Sequence, residues 1–414
     1  MMAAGKKIAI IGAGASGLMA AIAAAGGRAQ VCVYERNEIA GRKLLATGNG
    51  KCNLSNINIK AISQGNREAE DFYNGSCCSL VKKAYEGFGY EKTWSFFEAI
   101  GVHLKLKDEL VYPYSEQASQ VAQLLYEEAE RRGAVFYFGI KVTGIEKKEA
   151  GYELTLGKLS DGSMEKEYFD VCILACGSRA MPVSGSDGFG YKLCKKLGIP
   201  LVKPAPVLNK CLHEDLALRQ AAGSRCRAEL SLFSEDRLIA KSRGELQLTR
   251  EAMSGIVTFQ LSSKAAGLLE EKREAVIAIN FCPDMTKEER YGLIEKRQER
   301  AERLGLPREY ILKGLINDRL IPVILNGGRD IAGSLGAYRV KITALAGYDS
   351  AQVCSGGIAG RACEENFGIR SYPGLFAAGE LWDADGLCGG FNLQFAFSSG
   401  FLAGEAALKY LEEI

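Results

Sequence analysis

The chain has 414 residues, with 52 basic against 50 acidic side chains and a formal charge of +2, so it lacks the strongly basic footprint of a nucleic-acid binder. Hydrophobic residues make up 47% and charged residues 25%, the balance of a soluble globular protein long enough for about two or three domains. With His103 and His213 as its only histidines it has no multi-histidine metal site, and its 48 glycines follow no G-X-Y period, which excludes collagen and implies backbone crowded around a ligand.

Lys6 and Lys7 precede an almost uncharged run from Ile8 to Gly27, which hydropathy alone could take for a signal peptide or a short span. Its glycines and the direct run into QVCVYERN fit a different element. KKIAIIG reads as a strand buried on both faces. Gly12-x-Gly14-x-x-Gly17 follows, then the helix-forming LMAAIAAAGG, and a second strand QVCVY ends at Glu35. This is a dinucleotide cradle: Gly12 for a tight turn, Gly14 for close approach to a pyrophosphate, Gly17 for helix–strand packing, and Glu35 for ribose hydroxyls. The helix N-terminus adds amide donors and partial positive charge. Spacing leaves FAD and NAD both open. No targeting segment is expected, and the protein is read as cytoplasmic, with no membrane partner.

Residues 36–56, RNEIAGRKLLATGNGKCNLSN, have no clear period and carry Arg42, Lys43, Gly48, Gly50 and Asn53. They read as an ordered loop where an NAD domain would place a helix, which suits wrapping around a larger ligand. The strand EYFDVCILACGS closes on Gly177. Near the C-terminus GLFAAGE reads as a buried strand ending at Gly379-Glu380, followed by a glycine-rich turn with Asp383 and Asp385 and a helix of small and aromatic residues from Asn392 to Leu411. The N-terminus of that helix would point amides at a ligand, an arrangement suited to the electron-rich O2/N1 edge of a flavin.

Thirteen cysteines form no CxxC pair, and neither Cys77-Cys78 nor Cys172-x-x-x-Cys176 has metal or cluster spacing. They read as buried reduced thiols, and no metal is expected. GSDGFG at 185–190 and LNGGRDIAGSLG at 325–336 are glycine-rich but lack a strand–helix frame, so they read as turns rather than a nicotinamide site.

The fold class expected is α/β: a discontinuous Rossmann-like FAD-binding domain at 1–190 and 345–414, an inserted β-rich flattened barrel at 191–282 and 330–344, and a small helical subdomain at 283–329. The barrel rests on the strand-like stretches RAELSLF, RLIAKSRGELQL and REAVIAINF. The helical part rests on TKEERYGLIEKRQERAERLGL, whose charges read as a solvated face.

Taken together, IGAGASGLMAA with Glu35, GRKLLATGNGKCNLSN, VYPYSEQASQVAQLL at 111–125, ILACGS at 173–178 and GLFAAGELWDADGLCGGFNLQFAFSSGFLAG resemble the two-dinucleotide-binding-domain flavoproteins. Within these, they are similar to a microbial group that includes a bile-acid reductase and an aminoacetone oxidase. The resemblance spans nearly the whole chain. It implies FAD contacts at Gly12, Gly14, Gly17, Glu35, Arg42, Lys43, Asn53, Val142 on the adenine side, Gly177, Gly379, Glu380, Asn392 and Leu393. It implies an oxidoreductase acting on a small-molecule substrate: either an NADH- or NADPH-dependent reductase of a conjugated double bond in a 3-oxo-4-ene or 4,6-diene, or an amine oxidase that uses oxygen. A flavin-bound nucleic-acid-modifying protein is disfavoured by the near-zero charge. Tyr112 and Tyr114 are candidates for a general acid or an oxygen donor. One segment departs from the family: TREAMSGIVTFQLS at 249–262 has Arg250 where a histidine is expected and Ile256 where a proline is.

Overall fold

The computed structural model describes residues 5–27 and 29–414, and the chain divides into two units, Met1–Ala205 with Val353–Ile414 and Pro206–Gln352. The first four residues lie outside the described ones. The first unit therefore takes in residues 191–205, read from sequence as inserted domain, and the second reaches past 344 to 352. Helix Phe189–Lys196 explains the earlier boundary: its Leu193 and Cys194 are fully buried in the hydrophobic core of the first unit.

The first unit is built on a five-stranded parallel sheet. Its strands in chain order are β1 (Lys7–Ile11), β2 (Gln30–Tyr34), β3 (Val135–Tyr137), β4 (Val171–Leu174) and β5 (Leu375–Ala377), arranged in space as β5-β4-β1-β2-β3. Ile8–Ile11 and Val171–Leu174 are buried along their whole length, which is why they read as continuous apolar runs without alternation. Helix α1 (Ala15–Ala24) follows β1, α2 (Ala118–Arg131) precedes β3, and α3 (Phe391–Glu413) closes the chain. Strands 140–147, 152–158 and 164–169 form a separate antiparallel sheet.

Helices α1 and α3 approach backbone to backbone. A Cβ on Gly400 would stand 2.2 Å from the Ser16 carbonyl oxygen, and one on Gly404 would stand 2.5 Å from that of Ala20. The small-residue composition of α3 thus sets how close the two helices lie.

The second unit is a closed six-stranded antiparallel barrel of strands 211–213, 252–254, 237–248, 225–234, 276–280 and 338–345, in that spatial order. Strand Arg225–Ser234 alternates, burying Ala228, Leu230 and Leu232, the period of a sheet with one wet face. The helical stretch from 287 to 336 does not build a core of its own. Ile294, Ala301, Ile311 and Leu335 bury into the same cluster as Leu230, Ile277 and Val340 of the barrel. Helix Lys287–Leu304 opens on a capping box between Thr286 and Glu289, and its buried Arg290 donates to the Ala332 carbonyl at 2.8 Å.

Candidate functional site: a dinucleotide cradle

The three glycines after β1 do three different things. Gly12 has φ +106°, and a Cβ there would meet the Ala175 carbonyl oxygen at 2.5 Å. A Cβ on Gly17 would stand 1.9 Å from the Gly12 carbonyl oxygen. Around Gly14 nothing lies within 4 Å of such an atom, so no neighbour in the protein explains its small size and the backbone there is open. Gly14 also caps α1 without any side-chain hydrogen bond, and the first turn of α1 carries no acidic residue. The amide donors there and the positive end of the dipole stay uncompensated. Helix α3 begins the same way, after Gly390 at φ +92°, with no side-chain cap and no acid in its first turn. These features fit a phosphate-bearing dinucleotide such as FAD.

At the end of β2, Glu35 is 8% exposed. Its Oε2 accepts from the Ala13 amide at 2.8 Å, tying it to the glycine turn, and its Oε1 accepts from the backbone and side chain of Asn37 at 2.8 and 2.7 Å. Arg42 is exposed and donates to Asn37 Oδ1 at 3.0 Å. The Ile140 amide donates to the Glu35 carbonyl at 3.0 Å, so Val142, buried two residues on, stands on the strand that leaves the Glu35 end of the cradle.

Lys43 and Glu380, 337 residues apart, form an ion pair at 2.5 Å. The other oxygen of Glu380 accepts from Ser178 Oγ at 2.8 Å and the Cys354 amide at 3.0 Å. Ser178 directly follows Gly177, whose φ of +67° turns the chain after β4. Gly379 has φ +69°, and its amide donates to Ser399 Oγ of α3 at 2.9 Å. A Cβ on it would stand 2.6 Å from Ser16 Oγ, so this turn lies against the opening of α1.

Asn53 acts through backbone. With the Asn53 amide group oriented to satisfy its neighbours, its nitrogen faces the carbonyls of Val111 and Ser55 at 3.2 and 3.0 Å and its oxygen faces the Gly390 amide at 3.2 Å. Asn392 donates to the Gly386 carbonyl and accepts from the Gly386 amide, both at 2.8 Å, and Leu393 follows it half-buried. Both asparagines thus hold the loops around the start of α3.

Tyr112 and Tyr114 separate. Tyr112 is half-buried, lies 3.7 Å from the position of a Cβ on Gly48, and burial pushes its hydroxyl above the ordinary value. Tyr114 is 65% exposed with the Lys105 ammonium over its ring, and the structure does not bring it to the cradle. Of the thirteen cysteines, ten are buried and three half-buried, all free. Burial pushes the Cys52 and Cys77 thiols up to about 12, which leaves them unreactive at neutral pH. Among the described residues no His, Cys, Asp and Glu cluster could hold a metal, and no helix is long and apolar enough to cross a membrane.

Sequence reasoning missed Ser178 as the partner of Glu380, although its place directly after a strand-ending glycine was a signal. It also named Asp385 without seeing its state. Asp385 is 2% exposed, its Oδ2 accepts from Asn74 Nδ2 at 3.0 Å, and its Oδ1 has no partner. Burial first, then the charges of Asp383 and Glu380, push its carboxyl up to about 7. In the departing segment, Gly255 at φ +95° leads into helix Ile256–Glu270, Ile256 is 45% exposed at the first helical position, and Arg250 is exposed.

Residues 6–406 match the family described as HI0933-like protein Rossmann domain. The chain is 33% identical, over 97% of its length and 99% of the relative's, to the 3-dehydro-bile acid delta(4,6)-reductase of Clostridium scindens. It is 25% identical, over 95% of both chains, to the ribosomal RNA dihydrouridine synthase of Escherichia coli. Among solved structures, it is similar to the 3-ketosteroid-delta4-(5alpha)-dehydrogenase of Rhodococcus jostii, with a TM-score of 0.54 at 15% identity over 99% of this chain and 98% of that one. It is also similar to a quinol-fumarate reductase, with a TM-score of 0.55 at 14% identity over 98% of this chain and 72% of that one. At those identities the structural likeness speaks for the fold alone.

Proposed function

The chain belongs to the HI0933-like family of FAD-dependent Rossmann proteins, and from that premise we propose that it is an NADH- or NADPH-dependent reductase of a carbon–carbon double bond conjugated to a carbonyl. The substrate class proposed is a 3-oxo-4-ene or 4,6-diene of steroid or bile-acid type. The observation that carries this reading is the 33% identity to the bile-acid reductase along nearly the full length of both chains. Its coarser part, an FAD-dependent oxidoreductase, rests on the family as a whole.

FAD, when bound, supplies the hydride chemistry. The residues described divide the work of holding it. The amides opening α1 and the space over Gly14 receive the pyrophosphate, and Glu35 offers its carboxylate to ribose hydroxyls. Lys43 is held in place by Glu380, which Ser178 and the Cys354 amide fix in turn. The start of α3, pinned by Asn53 and Asn392, presents amide donors and positive potential. Tyr112 is the phenol proposed to donate a proton to substrate carbon or a hydrogen bond to its carbonyl oxygen.

A second reading is supported by the dihydrouridine synthases at 25% identity. The 5,6 double bond of a uracil ring is also conjugated to a carbonyl, so the same bond chemistry would serve a ribosomal RNA uridine. The formal charge of +2 offers little of the phosphate attraction such a substrate calls for. An amine oxidase remains the alternative outside reduction.

The test is an anaerobic absorbance titration of the purified flavoprotein with NADH and then NADPH, followed by a 3-oxo-4-ene bile-acid derivative. Bleaching by a nicotinamide and recovery on adding the enone without oxygen are expected. Recovery with a uridine-containing ribosomal RNA fragment and not with the enone would move the substrate to RNA. No bleaching by either nucleotide would overturn the reductase and turn attention to amines and oxygen.

A further inference from the structure

Gln394 lies in the first turn of α3 and is wholly buried, with its side-chain amide engaged at both ends. Its Oε1 accepts from Ser55 Oγ at 2.6 Å, and its Nε2 donates to Thr93 Oγ1 at 2.5 Å and to Ser398 Oγ at 2.9 Å. Ser398 Oγ in turn donates to the Phe88 carbonyl at 2.6 Å. Ser55, Thr93, Gln394 and Ser398 are each 2% exposed or less. A hydrocarbon side chain of the same shape would avoid the cost of desolvating an amide, so what the amide adds is direction.

That direction leads to one loop. Ser55 stands on the two-residue strand Ser55–Asn56, paired with Leu110 and Val111, and its carbonyl oxygen lies 2.3 Å from where a Cβ on Gly390 would stand. Asn53, from the same loop, faces the Gly390 amide. The backbone amide of Gln394 donates to the Gly390 carbonyl at 3.0 Å, closing the first turn. Two polar ties, one just before α3 and one inside its first turn, therefore join the opening of the helix to residues 53–55.

We propose that Gln394 is a positioning residue for the flavin: through Ser55 it locks the first turn of α3, so that the amides there keep a fixed place against the electron-rich edge of the bound ring. This rests on FAD being the ligand. Positive potential at a helix N-terminus favours the anionic, two-electron reduced ring over the neutral oxidised one, and it falls off within a turn. A loosened first turn therefore weakens the reduced state more than the oxidised one and lowers the reduction potential.

The experiment measures the reduction potential of bound FAD by anaerobic equilibration with a reference dye, for the wild type, Ser55→Ala, Gln394→Met and Leu411→Ala. Ser55→Ala removes a single hydroxyl and the tie with it, and is expected to lower the ratio of reduced- to oxidised-flavin affinity about threefold, or roughly 15 mV. Gln394→Met breaks the whole network and is expected to lower that ratio about tenfold, or roughly 30 mV. Leu411 is 2% exposed near the far end of the same helix; Leu411→Ala is expected to destabilise the unit and leave the potential unchanged. An unchanged potential in Ser55→Ala, or an equal fall in Leu411→Ala, overturns the proposal. The titration uses neither nicotinamide nor enone, so its outcome is independent of the reductase reading. A wild type that binds no FAD overturns the cofactor reading, and this proposal with it.

Discussion

The two units bury ionisable side chains in opposite senses. In the Rossmann unit, Asp385 is buried as an acid whose charged form is disfavoured, and its carboxyl is pushed up to about 7. In the barrel unit, His213 is 2% exposed with both ring nitrogens unpartnered, and burial, only partly offset by Asp215, holds its imidazole below the ordinary value. Each group is kept neutral by desolvation, yet the consequence for stability has opposite sign. The units also differ in what makes them tight. The Rossmann unit depends on glycines where backbones touch, whereas the barrel unit depends on alternating aliphatic side chains closing around an interior. A site that must admit a ligand is thus built from missing side chains, and the barrel from present ones.

The largest effect is expected at the glycines of the cradle. Gly17→Ala puts a methyl group into the Gly12 carbonyl and is expected to cost about 3 kcal/mol or more, an overpacking penalty against rigid backbone. Gly14→Ala meets no protein atom and is expected to leave apoprotein stability within about 0.5 kcal/mol while weakening FAD. Urea denaturation followed by tryptophan fluorescence reads the first effect cleanly, because Trp94 and Trp382 both lie in the Rossmann unit. Equal destabilisation by the two substitutions would break the distinction between a packing glycine and a ligand glycine.

The pH dependence comes next. Folding holds a proton on Asp385 that the unfolded chain releases near pH 4, so its contribution is complete below that value and is lost as pH rises through about 7. His213 is the reverse: the unfolded chain takes up a proton near pH 6.5 that the folded barrel resists, so its contribution is present above that pH and lost as pH falls. Each can contribute at most about 1.4 kcal/mol per pH unit. Denaturation between about pH 4 and 8 is expected to show Asp385→Asn flattening the fluorescence transition of the Rossmann unit. His213→Leu is expected to flatten the acid limb of the other transition, read by far-ultraviolet circular dichroism. Slopes of the same sign would refute the contrast.

The smallest effect is expected on the barrel unit's surface. Thr286→Ala removes the capping box of helix Lys287–Leu304 and is expected to cost about 1 kcal/mol, visible in circular dichroism and silent in tryptophan fluorescence.

What the sequence made legible follows from range. The glycine turn, Glu35 and the small-residue helix at the C-terminus announce themselves because each is a local pattern with a local cause. The pairing of Lys43 with Glu380 spans 337 residues and is visible only once β1, β4 and β5 stand side by side. The unpartnered oxygen of Asp385 was equally hidden, since it depends on which loop fails to reach it. The barrel strands were readable from alternation, but the helices from 287 to 336 carry the same amphipathic pattern whether they form a core of their own or complete another's, and the second is what occurs. Tyr112 and Tyr114 share a motif and part company because strand Leu110–Pro113 ends between them, leaving Tyr114 in the exposed turn that follows.

The order in which the Rossmann unit is strung along the chain has a consequence for its synthesis. Helix α1 is finished by residue 24, while its packing partner α3 runs from Phe391 to Glu413. At translation rates of about 5–20 residues per second, α1 waits on the order of twenty to eighty seconds for that surface to be covered. The barrel unit, contiguous from Pro206 to Gln352, leaves the ribosome complete during that interval. A nascent chain stalled after Gln352 has emerged and before Phe391 is made therefore carries a whole barrel and a half-built nucleotide cradle, and its weak point toward proteases and chaperones is the bare flank of its first helix.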